Sequence, residues 1–290
     1  MSEESAPTEL LSGESLSDTL SAIGEAAPLI HHLTNDVTTS ETANVTLHWG
    51  GLPVMADAPA EAGEMAAGAD AVVINTGTAT RTDVGAMIDA GQRANEADVP
   101  VVLDPVGYGA TPHRVESVGR LLDAVAFDVI KGNVGEIRGL AGEEATVRGV
   151  ESVDNDVNES SVGDAALALA GETGATVVAS GVTDVVADAD GAAHELAVGH
   201  ERMGSFVGSG CMLASTLGTV AALTREAETP ISTATEAALT ATAAYGLAGE
   251  RAAATEPAGP ASYRTAFMDA VASIAAEPSD LAVENRVSVL

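Results

Sequence analysis

A glycine-rich segment that contains the only cysteine of the chain offers the clearest chemistry. It reads Met203-Gly204-Ser205-Phe206-Val207-Gly208-Ser209-Gly210-Cys211 and runs directly into an apolar, helix-like stretch. Glycines let the backbone approach a ligand closely, and the free N–H groups of a helix start bind anions. We predict a phosphate-binding loop here. The alternative is a tight turn that leads into a helix. Cys211 is either a small buried hydrophobic residue or a thiol whose pKa the helix start lowers.

Two acidic residues follow apolar, strand-like runs. Asp104 comes directly after Val101–Leu103, and Glu136 lies six residues after Asp128–Ile130. Ligands of open α/β sheets bind beyond the carboxyl ends of the strands. Mg²⁺ takes few carboxylates and keeps several waters and phosphate oxygens. We therefore predict that Asp104 and Glu136 together hold Mg²⁺. The alternative for Asp104, which precedes a proline, is a turn that ends the strand.

Lys131 is the only lysine in the chain, and it lies where a nucleotide phosphate would need a cation. Asn133 and Glu136 follow it with the spacing of a helix cap and a first-turn acid, and capping alone would explain both of these residues. Capping leaves Lys131 unexplained, which favours a phosphate contact.

A second polar segment contains His31, His32 and Asn35 and leads to Met55. Adjacent side chains diverge, so we expect the two histidines to be hydrogen-bonded residues rather than ligands of one ion. Asn35 and Met55 are residue types expected around a small polar heterocycle, because the first offers directed hydrogen bonds and the second polarisable contact. Met55 could equally be ordinary core.

Composition narrows the function classes. The chain has 290 residues, and 12 cationic against 43 acidic side chains give 12 − 43 = −31. Without a basic stripe interleaved with aromatic residues, we expect no nucleic-acid partner. The acidic surface predicts adaptation to salt, which equal stability in dilute buffer and in concentrated KCl would contradict. One cysteine, no signal-peptide pattern in Met1–Leu16 and no long apolar run predict a cytoplasmic protein with no membrane contact.

Strand-like and helix-like segments alternate, as in a parallel sheet covered by helices. We predict strands at Ala71–Asn75, Val101–Leu103, Asp128–Ile130 and Thr176–Ala179, and an antiparallel hairpin of Asp184–Ala187 with Glu195–Val198. Predicted helices are Val84–Ala94, Val115–Val125, Gly210–Thr224, Ile231–Ala254 and Arg264–Ala275. Glu151–Ser161 is predicted to be a surface loop, residues 1–13 and 278–290 to be tails, and the whole chain to be one domain.

The chain resembles the hydroxyethylthiazole kinases, a family of the ribokinase-like superfamily, from about Pro28 to Phe267. The resemblance rests on seven segments that occur in order: Leu33–Asn35, Pro53–Ala56, Val73–Thr78, Leu103–Gly107, Gly132–Ile137, Val207–Cys211 and Ala248–Glu250. It implies a ribokinase-like three-layer α/β/α fold with a mainly parallel central sheet and a C-terminal antiparallel hairpin. It also implies phosphorylation of hydroxyethylthiazole by ATP, dependence on Mg²⁺, and a homotrimer with substrate sites between subunits.

The resemblance assigns roles to individual residues. Met55, Gly208 and Asn35 are expected to contact the thiazole, and Cys211 to stand in the place of the base. Lys131 and Ser180 fall on the family's nucleotide-contact positions. Beside these two residues, we also expect Asn133 and Gly210 to contact ATP. Asp104 and Glu136 fall on the positions of the Mg²⁺-associated acids.

Three positions depart from the family pattern. Lys131 stands where arginine is usual, so a point charge replaces a bidentate fork. Ser180 replaces threonine and keeps the hydroxyl, whereas Val207 stands where threonine is expected and loses it. Two other functions stay open: a different ribokinase-like activity (a pyrimidine-precursor kinase or a nicotinamide-cofactor-hydrate dehydratase), or a non-catalytic sensor of the thiazole or nucleotide.

Overall fold

The computed structural model describes residues 10–142, 147–148, 151–152, 159–226, 229–279 and 281–290. These residues form a nine-stranded sheet in the order β11-β10-β9-β8-β5-β4-β3-β1-β2, and β6 and β7 form a separate two-stranded pair. The strands are β1 Leu29–Leu33, β2 Leu52–Val54, β3 Ala71–Asn75, β4 Val101–Asp104, β5 Val129–Asn133, β6 Val147–Arg148, β7 Glu151–Ser152, β8 Thr176–Ser180, β9 Asp184–Ala187, β10 Ala193–Leu196 and β11 Val287–Val289.

The α-helices of the described residues cover both faces of the sheet. They are α1 Gly13–Ala26, α2 Thr39–Trp49, α3 Ala62–Ala67, α4 Arg81–Glu96, α5 Pro112–Ala124, α6 Val134–Leu140, α7 Glu159–Thr173, α8 Ser209–Ala221, α9 Ala234–Ala254 and α10 Pro260–Ala276. One core contains residues of α1, α2, α8, α9 and α10, and the other contains residues of α3 to α7. The predicted three-layer α/β/α arrangement is confirmed. None of the helices in this part of the chain is long and apolar enough to cross a bilayer.

The adjacent strands β8, β5, β4, β3, β1 and β2 pair in parallel, because helices after β1, β2, β3, β4 and β5 return the chain to the same end of the sheet. The runs of valine, isoleucine and leucine in β3, β4, β5 and β8 are buried on both faces, as expected for the centre of a sheet between two helical layers. The predicted strands are confirmed, with β4, β5 and β8 each extending further at the carboxyl end than predicted.

The antiparallel hairpin is also confirmed, with a shifted second strand. β9 pairs with β10 at Ala193–Leu196, earlier than predicted, and Gly191 takes φ +99° in the turn between them. The Asp188 carboxylate accepts hydrogen bonds from the N–H groups of Asp190 and Ala192, at 2.9 Å each, which fixes this turn.

The prediction of two tails is wrong for the described residues. Val287–Val289 forms β11, which pairs with β10 as the edge of the sheet. Leu281 and Val283 are buried, as are Leu10 and Leu11 near the other end, because their apolar side chains complete the core beside α1. Residues 1–9 lie outside the described part.

Other boundaries differ for local reasons. α9 begins at Ala234 instead of Ile231 because Thr233 and Glu236 form a capping box there. The predicted surface loop Glu151–Ser161 is wrong at its ends, since β7 covers Glu151–Ser152 and α7 begins at Glu159; residues 153–158 lie outside the described part.

Candidate active site

The register of the parallel strands brings three polar residues side by side at the carboxyl end of the sheet. Asn75 is paired with Asp104 across β3 and β4, and β5 places Lys131 next in the row. Successive side chains of a strand point to opposite faces of the sheet. The residue before each of these three, Ile74, Leu103 and Ile130, lies in the core on the side away from α8, so all three polar side chains point toward the face that α8 covers. The exposed fraction of each is 3% or less.

The row is joined by direct contacts. Asn75 Nδ2 donates to Asp104 Oδ2 at 2.6 Å, and Lys131 Nζ lies 3.5 Å from Asp104 Oδ1. Burial alone would lower the pKa of Lys131, but the charges of Asp104 and Glu136 raise it overall. Lys131 is therefore a buried, protonated cation at neutral pH.

The start of α8 lies against this cation. A Cβ atom placed on Gly210 would be 2.9 Å from Lys131 Nζ, so glycine leaves the space that the ammonium group occupies. Gly208 precedes the helix with φ +99°, and a Cβ there would be 3.0 Å from Thr38 Cγ2. The first N–H groups of a helix have no intrahelical acceptor. Amide donors and a cation thus meet at one place.

Cys211 lies in the first turn of α8, beside Asn35. Asn35 Nδ2 is 3.5 Å from Cys211 Sγ and also donates to Thr38 Oγ1 and Asn75 Oδ1, at 2.8 and 3.0 Å. Burial raises the pKa of the Cys211 thiol, and the charge of Asp104 raises it further. The thiol is protonated at neutral pH, so the lowered pKa considered for this helix start is absent.

Glu136 is occupied by backbone donors. Its carboxylate accepts from the N–H of Asn133 at 2.8 Å and from the N–H of Gly107 at 2.6 Å. Asn133 Oδ1 accepts in return from the N–H of Glu136 at 2.9 Å, so the predicted capping of α6 is confirmed. Burial raises the pKa of both Glu136 and Asp104, and Lys131 partly offsets this in each case.

The two acids fit Mg²⁺ only as outer partners. Every carboxylate oxygen of Asp104 and Glu136 already accepts a hydrogen bond, and Cys211 also hydrogen-bonds to Asp104, which leaves few acceptor positions on the two acids. Mg²⁺ commonly keeps several waters, and these remaining positions suit such waters. Among the described residues, no group of three or more His, Cys, Asp or Glu side chains forms a metal-binding cluster.

The other predicted residues lie around this centre. Ser180 ends β8, where its Oγ is 3.3 Å from the carbonyl oxygen of Gly132, next to Lys131. Met55 follows β2 at the edge of the sheet, one strand away from Asn35. The structure therefore brings Asn35, Lys131, Asp104, Gly208–Gly210 and Cys211 together, with Ser180 and Met55 on opposite flanks.

The two histidines point to opposite faces of the sheet, as expected for neighbours on a strand. His32 is buried, with Nδ1 3.1 Å from the carbonyl oxygen of Ile30 and Nε2 3.2 Å from Ser215 Oγ on α8. Burial lowers its pKa to about 4. His31 Nε2 lies 2.7 Å from the carbonyl oxygen of Ala56. Both are hydrogen-bonded residues, as predicted.

Sequence reasoning missed residues that hold the site from outside. Asn75 connects Asn35 to Asp104, although it was recognised only as part of a family segment. Tyr245 donates from α9 to the carbonyl oxygen of Ser209 at 2.6 Å and so fixes the first turn of α8. Arg114 binds two loops of the site. The position of Asn75 at a strand end, like that of Asp104, was the one usable signal.

This arrangement is a ribokinase-like α/β fold with a cation and an open helix start at the carboxyl ends of its strands. A ribokinase-like superfamily protein from Enterococcus faecalis shares the fold, with a TM-score of 0.62 over 91% of this chain and 95% of that chain at 12% identity. The model of the hydroxyethylthiazole kinase family matches residues 20–277. The chain belongs to the hydroxyethylthiazole kinase family.

Relatives extend over nearly the whole chain. A hydroxyethylthiazole kinase from Natronomonas pharaonis is 47% identical over 277 residues, which are 94% of this chain and 96% of the relative. The structure of a hydroxyethylthiazole kinase protein from Pyrococcus horikoshii has a TM-score of 0.80 and 32% identity, covering 96% of this chain and 99% of that chain. The family predicted from the seven segments is confirmed.

Proposed function

We propose that this protein transfers the terminal phosphoryl group of ATP to the hydroxyl of 4-methyl-5-(2-hydroxyethyl)thiazole, as a single-domain enzyme of thiamine biosynthesis or salvage. The hydroxyl oxygen attacks the γ-phosphorus in line, the bond from that phosphorus to the β–γ bridging oxygen breaks, and ADP leaves. Family membership supports the reaction. The observation that carries it is the position of Lys131 Nζ beside Gly210 at the open start of α8, where an added Cβ would lie 2.9 Å from the ammonium group.

Lys131, Ser180, Asn133 and Gly210 form the nucleotide side of the proposed site. The ammonium group of Lys131 and the first amides of α8 oppose the negative charge of the triphosphate, and this preorganised electrostatic stabilisation is the main catalytic device of phosphoryl transfer. Ser180 ends the strand next to that of Lys131 and offers a hydroxyl to the nucleotide. Bound Mg²⁺ would supply further neutralisation of the phosphate charge. Asp104 and Glu136 would hold its waters.

Asn35, Met55 and Gly208 form the proposed thiazole side. Asn35 is buried, and its side-chain oxygen Oδ1 accepts hydrogen bonds from the N–H groups of Val37 and Thr38. These bonds fix the orientation of the amide, so that Nδ2 stays directed at Cys211. Gly208 approaches Thr38 so closely that no side chain fits between them. A small heterocycle in this position would have its hydroxyethyl arm directed at the start of α8.

Cys211, in its thiolate form, is the proposed acceptor of the hydroxyl proton and becomes a neutral thiol, and positioning rather than a strong base supplies most of the rate. Because burial and the charge of Asp104 raise the pKa of Cys211, the thiolate is only a minor species at neutral pH. Proton transfer lies late in a loose phosphoryl transfer, where the attacking hydroxyl becomes acidic only as the new bond forms. Asp104, the acid that raises the pKa of Cys211, lies within the same network.

We further infer a homotrimer with sites between subunits. Support comes from apolar side chains that are exposed near the thiazole side: Val37, Leu47, Leu52 and Val207 are 64, 54, 49 and 69% exposed. Val37 and Val207 are next in sequence to Thr38 and Gly208, which approach each other closely. The helix α2, which contains Leu47, packs on edge strand β2, which contains Leu52. Large apolar side chains that are exposed in this way favour an interface between protein chains. Light scattering with size exclusion would detect three copies; a monomer would contradict the inference.

ADP release from ATP and Mg²⁺ with a panel of alcohols tests the function, in dilute buffer and in concentrated KCl. Hydroxyethylthiazole should give turnover well above a pyrimidine-precursor alcohol. Faster turnover of the pyrimidine would contradict the substrate assignment. Binding of the thiazole without ADP release would indicate a sensor.

A further inference from the structure

Arg114 is a partly buried arginine of α5 whose guanidinium group reaches two loops of the site. Nη1 donates to the carbonyl oxygen of Val106 at 2.5 Å, and Nη2 donates to the carbonyl oxygen of Gly77 at 2.7 Å. The Val106 loop follows β4 after Asp104, and the Gly77 loop follows β3 after Asn75. One side chain therefore binds the loops that leave two neighbouring strand ends.

The first contact acts on Glu136 through a single peptide unit. The carbonyl oxygen of the Val106–Gly107 peptide accepts from Arg114, and its N–H donates to Glu136 Oε1 at 2.6 Å. Gly107 has φ +72°, and a Cβ there would lie 3.0 Å from Arg114 Nη1, so the guanidinium group packs directly on this glycine. The peptide is held between a cation and a carboxylate, and its orientation depends on both.

The second contact acts on Asp104 through Asn75. The carbonyl oxygen of Gly77 accepts from Arg114, and the N–H of Gly77 donates to Asn75 Oδ1 at 3.0 Å. Asn75 Nδ2 in turn donates to Asp104 at 2.6 Å. A guanidinium group has the planar fork that can bind two oxygens in fixed directions, whereas an ammonium group is a point charge. Only arginine suits both carbonyl oxygens at once.

We propose that Arg114 is a positioning residue for phosphoryl transfer, which sets the orientation of the Asp104 and Glu136 carboxylates by holding the Val106–Gly107 peptide and Gly77. Arg114 does not touch the reacting atoms. This inference rests on the proposed kinase function for its kinetic effect, but its structural content is independent of turnover. Outer partners of this kind change activity about 10–100-fold when removed.

Kinetics of Arg114→Ala provide the first test. We expect kcat to fall about 10–100-fold while the KM for hydroxyethylthiazole stays within about twofold of wild type, because the thiazole side is untouched. Arg120→Ala removes an exposed arginine from the same helix and is the matched control, with kcat expected within about twofold. A raised KM with unchanged kcat, or kcat within twofold in Arg114→Ala, overturns the proposal.

Rescue by a free guanidinium ion distinguishes the loss of a positioning group from general damage to the fold. Guanidinium chloride at millimolar concentration should restore part of the kcat of Arg114→Ala and have no such effect on Arg120→Ala. Arg114→Lys keeps the charge and the stem but cannot span both oxygens, so its kcat should fall between those of wild type and Arg114→Ala. If Arg114→Ala fails to fold, Arg114→Lys with wild-type kcat overturns the proposal.

Hydrogen exchange distinguishes failure of this inference from failure of the kinase assignment. Mass spectrometry of Arg114→Ala should show faster exchange in residues 76–78 and 105–109 than in Arg120→Ala, where the Gly107 and Gly77 amides stay protected. Unchanged exchange in both segments overturns the positioning role. Absence of turnover in the wild-type protein would overturn the proposed function alone, since this exchange comparison would still decide the role of Arg114.

Discussion

Two helices start beside Lys131, and their first turns are built in opposite ways. α6 is closed by its own side chains: Asn133 and Glu136 bind each other's backbone N–H groups in a capping box. α8 is preceded by Gly208, which has no side chain to cap the helix and takes φ +99°. Both helices could present amides to an anion, but only α8 leaves them open. The comparison supports the proposal that α8, and not α6, binds the phosphate.

Removal of the cation between the two helices should have the largest effect. Lys131→Met leaves Asp104 buried without its cation and removes the charge opposite the triphosphate, so kcat/KM should fall about 10³-fold. Lys131→Arg should keep most of the activity, since arginine is the usual residue of the family at this position. Steady-state kinetics measure both variants. Equal losses in the two would show that the positive charge is not what the site uses.

Acid should destabilise the body of α8 through His32. Its pKa is about 4 in the folded protein against about 6.5 when unfolded, so the unfolded chain takes up the proton first as the pH falls. The stability contributed by neutral His32 is complete above pH 6.5 and is lost between pH 6.5 and 4, by about 3 kcal/mol.

Urea unfolding at several pH values measures this effect. His32→Gln should be less stable than wild type at pH 7.5, and the difference should shrink as the pH falls toward 4. A difference independent of pH would mean that His32 does not titrate as described.

Closure of the open helix start should reduce activity without unfolding the protein. In Gly208→Ala the new Cβ meets Thr38 Cγ2 at 3.0 Å, in a backbone conformation that favours glycine. We expect kcat/KM to fall about 10²-fold, the range for loss of one preorganised donor. Gly204→Ala is the matched control, because no atom lies within 4 Å of its added Cβ. Similar losses in both variants would contradict a special role for Gly208.

The first-turn thiol should have a smaller effect. Cys211→Ala should retain activity reduced about tenfold, and Cys211→Asp should keep or raise it, because a carboxylate is a better proton acceptor than a protonated thiol. Full wild-type activity in Cys211→Ala would remove the base assignment. Complete loss in Cys211→Asp would count against it as well.

The capping box at the start of α6 should contribute to the free energy of unfolding. Asn133→Ala removes the cap of α6 and should lower the free energy of unfolding by about 1 kcal/mol. Asn133→Asp keeps an acceptor oxygen and should recover most of this loss. Urea unfolding at pH 7.5 measures both, and unchanged stability in Asn133→Ala would show that the capping box contributes nothing.

Features of the site that depend on residues close in sequence, or on the general geometry of parallel sheets, could be predicted from the sequence. The capping box of Asn133 and Glu136 was readable because it depends on a spacing of three residues. The meeting of Asp104 and Lys131 was predictable because the carboxyl ends of parallel strands share one edge.

What the sequence could not predict depends on distant partners. The role of Asn75 requires the register that pairs it with Asp104, and Arg114 reaches the carbonyl oxygen of a residue 37 positions earlier. The short strand β11 was taken for a tail because its three residues become a strand only through pairing with β10. The raised pKa of Cys211 likewise comes from burial and from Asp104, which outweigh the helix start.

The position of a bound triphosphate tests the difference between the two helices most directly. A crystal structure with a non-hydrolysable ATP analogue and Mg²⁺ should place phosphate oxygens within hydrogen-bond distance of Lys131 Nζ and of the N–H groups of Ser209, Gly210 or Cys211, with the capping box of α6 intact. Phosphates bound at the start of α6, with Asn133 and Glu136 displaced from their mutual hydrogen bonds, would contradict the assignment of α8 as the phosphate site.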